Sequence, residues 1–128
     1  MKKRMMEFFA LSEPERREVI SNALEAGPTI PFLNFSKLFR TWLEILTTFS
    51  EEQREGLFLA YINEVAQFPQ KLISFNLDGI LEVFLMLDEE KRGIISQTVR
   101  KIVNQLPEEK KRTVLLVIPD SAKKHLGV

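Results

Sequence analysis

The sequence predicts an all-α protein, and three observations lead to this prediction. A ten-residue phrase recurs four times, its copies are regularly spaced, and the apolar residues between them follow helical spacing. No segment shows the long alternation of apolar and polar residues that is typical of a strand. The chain has 128 residues, of which 45% are hydrophobic, so its size suits one domain with a substantial core.

The recurring phrase occupies residues 11–20, 49–58, 87–96 and 106–115. Its copies read LSEPERREVI, FSEEQREGLF, LDEEKRGIIS and LPEEKKRTVL. The first three copies follow one another at equal intervals, and the fourth follows the third after half of that interval. Steps of half an interval therefore divide the chain into six units, and a fixed period of this kind indicates helical repeats. The units begin near residues 12, 31, 50, 69, 88 and 107.

Each unit begins with a residue type that favours the start of a helix. Ser and Asp accept hydrogen bonds from the free N–H groups of the first turn, and Pro fits the first helical position. Ser12 with Glu15, and Ser50 with Gln53, have the spacing of a capping box. Six helices are therefore expected, with N-terminal residues Ser12, Pro31, Ser50, Pro69, Asp88 and Pro107.

The remaining features of the units refine this expectation. Gly27 and Pro28 end the first helix. The fourth unit is apolar on nearly every side around residues 80–87, which predicts a central position with neighbours on several faces. Short terminal helices are expected over residues 6–11 and after Pro119, where Asp120 or Ser121 would act as the cap.

We therefore expect a single domain over residues 1–128, made of three stacked αα-hairpins of about 38 residues each. This architecture is a short α-solenoid that is similar to HEAT arrays in repeat length and helix number, without a family motif. The alternative is a compact six-helix bundle, since three repeats are at the lower limit for a stable array.

Composition argues against several classes of function. The chain has no cysteine, and the single histidine, His125, has no adjacent partner to orient it as a base. No glycine-rich phosphate loop or metal-ligand spacing occurs, so we expect no enzyme activity, cofactor or metal. Eighteen basic and eighteen acidic residues balance, and no apolar run is long enough to cross a membrane. A soluble, cytoplasmic protein is expected.

Two residue sets are candidates for an interaction surface. The first is a basic residue at the same position of four units, each three residues after a glutamate, which predicts either a solvated ion pair or a basic ladder for an acidic partner. The second is an aromatic row at helical spacing, which predicts either core or an exposed hot spot. The sets are Arg16, Arg54, Arg92 and Lys111, and Phe32, Phe35, Phe39 and Trp42.

These patterns predict a non-catalytic module for protein–protein interaction or assembly, because stacked helices present extended surfaces to a partner protein or to a second copy. The alternative is a binder of an apolar small molecule between helices, around Phe39, Trp42, Phe75 and Phe84. Nucleic-acid binding through the C-terminal basic residues is the least favoured hypothesis, because no recognition motif accompanies them. These residues are Lys110, Lys111, Arg112, Lys123 and Lys124.

Overall fold

The structure is a computed structural model that describes residues 1–128, and all of its regular elements are helical, as predicted. Short 3₁₀ segments over Phe8–Ala10 and Gly27–Thr29 follow the first and second α-helices. No helix is both long enough and apolar enough to cross a membrane. The α-helices are α1 (Lys2–Glu7), α2 (Glu13–Ala26), α3 (Phe32–Leu46), α4 (Glu51–Gln67), α5 (Gln70–Ile73), α6 (Leu77–Leu85), α7 (Glu89–Gln105), α8 (Glu108–Val117) and α9 (Asp120–Leu126).

The period of the sequence coincides with helix starts throughout the chain. All six residues that open the units are the N-cap residues of helices α2, α3, α4, α5, α7 and α8. Both predicted capping boxes are present: the Ser12 hydroxyl accepts from the Glu15 amide, and Ser50 accepts from Gln53. At Asp88 the carboxylate accepts from the Lys91 amide at 2.9 Å. Hydrogen bonding at the free helix end explains why the phrase repeats.

The fourth unit differs from the expectation of one continuous helix. The chain leaves the helical path after α5, and the Asn76 side chain starts α6 by accepting from the Gly79 amide at 3.0 Å. The break places the Phe75 ring 5.5 Å from the Phe35 ring. The expected central position of this unit was also wrong, because Leu85 and Met86 are 36% and 60% exposed.

Helix α4 takes the central position instead. It packs against α2, α7 and α8, while α3 packs against α6 and α7. Helices α2, α4 and α7 begin within the first, second and third copies of the phrase, so the contacts α2–α4 and α4–α7 join helices of consecutive copies. Helices α3 and α6, which also pack together, belong to the second and fourth units. The arrangement of these helices as three stacked hairpins stays a prediction, whereas the helical class is confirmed.

The core is formed where these helices meet. Leu46 of α3 and Val103 of α7 have no exposed surface, and Ile20 of α2 is 2% exposed. At the N-terminus, Met5 and Phe8 join the core, so the terminal segment packs as expected although its helix begins at Lys2. The N-cap position of the last helix is occupied by Pro119, which makes no side-chain hydrogen bond to the helix end, and not by the predicted Asp120 or Ser121.

Candidate interaction surfaces

The repeated arginines make structural contacts within the chain. The guanidinium group of Arg16 donates to the carbonyl oxygens of Phe8 and Phe9 at 3.1 and 2.7 Å. It also lies 5.2 Å from the centre of the Phe8 ring, which adds a cation–π contact. Arg16 therefore connects α2 to the segment that precedes it.

The third and fifth units, which carry the next two copies of the phrase, repeat this arrangement. Arg54 Nη1 donates to Leu46 O and Phe49 O at 3.3 and 2.9 Å, and its Nε donates to Thr98 Oγ1 of α7 at 3.0 Å. Arg92 Nη1 donates to the carbonyl oxygens of Leu85 and Leu87 at 3.0 and 2.9 Å. Leu46 and Leu85 are the last residues of α3 and α6, where intrahelical donors are missing, and Phe49 and Leu87 lie in the turns that follow. Each arginine thus fastens its helix to the preceding turn.

This contact pattern replaces the predicted ion pairs. None of the four basic residues forms an ion pair with the glutamate three positions before it. The planar guanidinium group suits two neighbouring acceptors, and the lysine of the last unit, Lys111, makes no side-chain hydrogen bond of this kind. A role of these residues in binding an acidic partner stays a prediction.

The aromatic row on α3 is largely packed. Phe35 stacks on Phe39 at 5.6 Å, and Phe39 stacks on Trp42 at 5.9 Å. Trp42 then meets the Tyr61 ring of α4 edge-on at 5.5 Å. Burial against these neighbours raises the pKa of the Tyr61 hydroxyl. The remaining member, Phe32, is 36% exposed and marks the end of the row that reaches the surface.

Two glycines make room for these rings. The Phe75 ring lies 2.5 Å from where a Cβ atom on Gly27 would stand, and the Phe32 ring overlaps the corresponding position on Gly79. Gly79 lies in the first turn of α6, and its amide donates to Asn76. Its function in the fold is therefore close approach of α3 to α6.

Two lysines connect helices through carboxylates. Lys71 Nζ donates to Ser21 Oγ at 2.8 Å and to Glu64 Oε1 at 3.1 Å, and thereby ties α5 to α2 and α4. Lys101 Nζ lies 2.6 Å from Glu55 and 3.4 Å from Glu51, and both contacts raise the pKa of Lys101.

A groove runs along the exposed face of α4, between α2 and α8, and encloses about 720 Å³. Its floor includes Gly56, Leu59 and Asn63, and its walls include Arg17 of α2 and Lys110 of α8. A second groove of about 410 Å³, beside the turn between α7 and α8, shares all three floor residues. One face of α4 therefore serves two adjoining concave surfaces.

The exposed face of α4 was not identified from the sequence, although its residues follow a regular pattern. They recur at steps of three or four, which places them on one side of the helix. Gly56 is exposed, and a Cβ atom there would have only one neighbour within 4 Å, a Phe9 ring atom at 3.9 Å. The packing of the chain therefore does not require this glycine. The exposed residues are Glu52, Gly56, Leu59, Asn63 and Gln67.

Helices α3 and α6 form another surface with exposed apolar side chains. Leu33 of α3 is 70% exposed, and Met86, at the end of α6, is 60% exposed. Exposed charges lie on the same two helices, with Lys37 on α3, and Asp78 and Glu82 on α6. None of these three charged side chains takes part in an ion pair. We call this surface the α3–α6 face.

The residues proposed for the other two hypotheses lie elsewhere. Phe39, Trp42, Phe75 and Phe84 line neither of the two grooves, and the first three belong to the packed aromatic cluster. Among the C-terminal basic residues, Lys123 pairs with Asp120 at 3.3 Å. His125 is exposed in α9, and its carbonyl oxygen accepts a hydrogen bond from Ser96 Oγ at 3.4 Å.

Comparison with known proteins gives no match at a significant level: no protein-family model, curated protein or solved structure is similar to this chain. The fold defines an all-helical protein.

Proposed function

We propose that this chain is a non-catalytic module for protein–protein interaction or assembly, built on helical repeats. The observation that carries the proposal is the groove along α4, bounded by α2 and α8 and continuous with the second groove at Gly56, Leu59 and Asn63. Extended concave surfaces formed by neighbouring helices are the surfaces that repeat proteins offer to partners.

The composition of the groove supports a protein partner over a small apolar molecule. Of the 15 residues that line it, five are hydrophobic, whereas pockets for drug-sized ligands are lined predominantly by apolar side chains. Charges of both signs, such as Glu13 and Arg17, lie on its rim. A mixture of apolar and charged side chains is the usual composition of a non-obligate protein interface.

The presence of Gly56 within α4, where a glycine lowers helix stability, also supports the proposal. A glycine inside a helix destabilises it by about 0.5–1 kcal/mol relative to alanine, and packing within the chain does not require this one. Its position on the groove floor leaves the α4 backbone accessible to a closely approaching partner. In this proposal the floor residues bind the partner, and of the four repeated basic residues only Arg16 lines the groove.

The test compares two asparagine variants in affinity capture from extract of the cells that make the protein. Asn63→Arg places a long charged side chain on the groove floor, and Asn22→Arg makes the same change at an exposed position of α2 outside both grooves. We expect a protein that is retained by the wild type and by Asn22→Arg to be lost by Asn63→Arg. Retention that is equal for both variants would contradict the groove as the binding site.

A sedimentation experiment completes the test. The proposal that the chain is an interaction or assembly module is refuted if the wild-type chain captures no protein and also sediments as a strict monomer. Circular dichroism of both variants checks that the helical content is unchanged, so that lost capture reports the surface and not the fold.

A further inference from the structure

The α3–α6 face combines exposed apolar area with a division of charge between its two helices. Leu33 and Lys37 are four residues apart on α3, and so are Asp78 and Glu82 on α6, so each pair lies on one side of its helix. The same side of α3 also carries the ion pair of Arg40 with Glu44, so with Lys37 its net charge is positive, whereas the exposed charges on α6 are negative. Because α3 packs against α6, the positive and the negative side chains lie on adjacent helices.

This surface combines exposed apolar side chains with charged side chains, which is the composition of an interface. Leu33 at 70% exposure is flanked by Phe32, and Met86 at 60% exposure is flanked by Leu85. Several exposed apolar side chains on two helices that pack together mark an interaction site more strongly than a single exposed residue does. Lys37, Asp78 and Glu82 remain exposed and without an ion pair within the chain.

The distribution of charge identifies the partner. In an interface with two-fold symmetry, the same surface occurs on both sides, so a residue i that contacts j is matched by a j that contacts i. A surface with a cation on one helix and carboxylates on the neighbouring helix is complementary to itself under such a rotation. An unrelated partner would not require opposite charges on the two helices.

We propose that the α3–α6 face binds a second copy of this chain, with α3 of each copy against α6 of the other. Lys37 of one copy faces Glu82 and Asp78 of the second copy, and the arrangement occurs twice in the dimer. Leu33 and Met86 fill the area between these charged contacts. This inference deepens the assembly part of the proposed function and is independent of partner binding in the groove along α4.

The decisive experiment uses two charge reversals and their mixture, with dimerisation measured by sedimentation equilibrium. Lys37→Glu places like charges opposite each other at both symmetric contacts, and so does Glu82→Lys. Each variant alone is expected to dimerise at least about tenfold more weakly than the wild type. An equimolar mixture of the two variants restores opposite charges at both contacts, so it is expected to form a heterodimer with near wild-type affinity.

A pair of leucine variants tests the apolar part of the interface. Leu33→Glu is expected to abolish dimerisation, whereas Leu116→Glu changes a leucine of α8 that is 79% exposed outside this face and leaves it unchanged. A wild-type chain that stays monomeric up to about 100 μM, where weak specific interfaces associate, overturns the proposal. So does a mixture that fails to associate, or a loss of dimers with Leu116→Glu equal to that with Leu33→Glu.

These outcomes are distinguishable from failure of the groove. Glu82→Lys and Leu33→Glu alter no residue that lines either groove, so capture of a partner through the groove continues in these variants. Asn63→Arg leaves the α3–α6 face unchanged, and its dimerisation is expected to equal that of the wild type.

Discussion

Replacement of Arg54 tests whether the repeated arginine stabilises the fold. Its guanidinium group makes three hydrogen bonds, at 3.0 Å to Thr98, at 3.3 Å to Leu46 and at 2.9 Å to Phe49, which join α3, the following turn, α4 and α7. A hydrogen bond to a charged group contributes about 1.5–3 kcal/mol to stability when it is buried. Where the charged group is partly exposed, water can take the place of the lost partner, so the loss of stability on mutation is smaller. We expect Arg54→Met to lower the free energy of unfolding by about 2–3 kcal/mol.

Two further variants separate the hydrogen bonds from the charge. Arg54→Lys keeps the charge but loses the planar fork, so an intermediate loss of about 1–2 kcal/mol is expected. Lys111→Met is the matched control, because Lys111 occupies the same position of its unit without a side-chain hydrogen bond; it is expected to change stability by less than about 0.5 kcal/mol.

Urea unfolding is followed by far-ultraviolet circular dichroism and by the fluorescence of Trp42, the single tryptophan of the chain. Trp42 meets the Phe58 ring of α4 at 5.9 Å, so its emission reports the contact of α3 with α4. Combination of Arg54→Met with Thr98→Val gives a double-mutant cycle, with an expected coupling of about 1 kcal/mol. Equal, small effects of Arg54→Met and Lys111→Met would refute the structural role of the arginine.

Two more predictions concern a glycine pair and a lysine. Gly79→Ala is expected to destabilise the fold by about 1–3 kcal/mol, because the added Cβ atom collides with the Phe32 ring. Gly93→Ala is the control: its added Cβ atom has no neighbour within 4 Å, so it is expected to stabilise α7 by about 0.5–1 kcal/mol. Thermal unfolding of both variants measures the difference, and a stability change of the same sign in both would contradict the packing argument. The contacts with Glu55 and Glu51 raise the pKa of Lys101, so the stability that they contribute is fully present below the ordinary lysine pKa and is lost as pH rises through the raised value. Between about pH 9 and 12, the urea midpoint is therefore expected to fall less for Lys101→Met than for the wild type. Parallel curves of the urea midpoint against pH would show that the contacts do not contribute to stability.

The helix starts were readable from the sequence because their causes are local. Ser12 and Ser50 satisfy amide groups three residues away, and proline restricts the backbone at its own position. The break within the fourth unit was missed for a different reason. Asn76 is a good cap residue, but the apolar residues on both sides favoured one continuous helix, and the break also accommodates the packing of Phe75 onto Phe35.

The candidate surfaces show the same division. Spacing identified Arg16, Arg54 and Arg92 as equivalent residues, yet their acceptors lie five to eight residues back in the chain, or in another helix at Thr98. The nearby glutamates were the simpler partners by sequence distance. Whether Phe32 is exposed could not be predicted either, because its exposure depends on how α3 lies against α6.

The sequence alone determined the helical class, the repeat period and the residue at which each unit begins, because capping and helical spacing are interactions between residues a few positions apart. Only the tertiary structure decided that α4 is the central helix, that the recurring arginines bind carbonyl groups, and that α4 and the α3–α6 face remain accessible. Burial, groove shape and the choice of a hydrogen-bond partner depend on helices distant in sequence, and one amphipathic pattern is compatible with several ways of packing them.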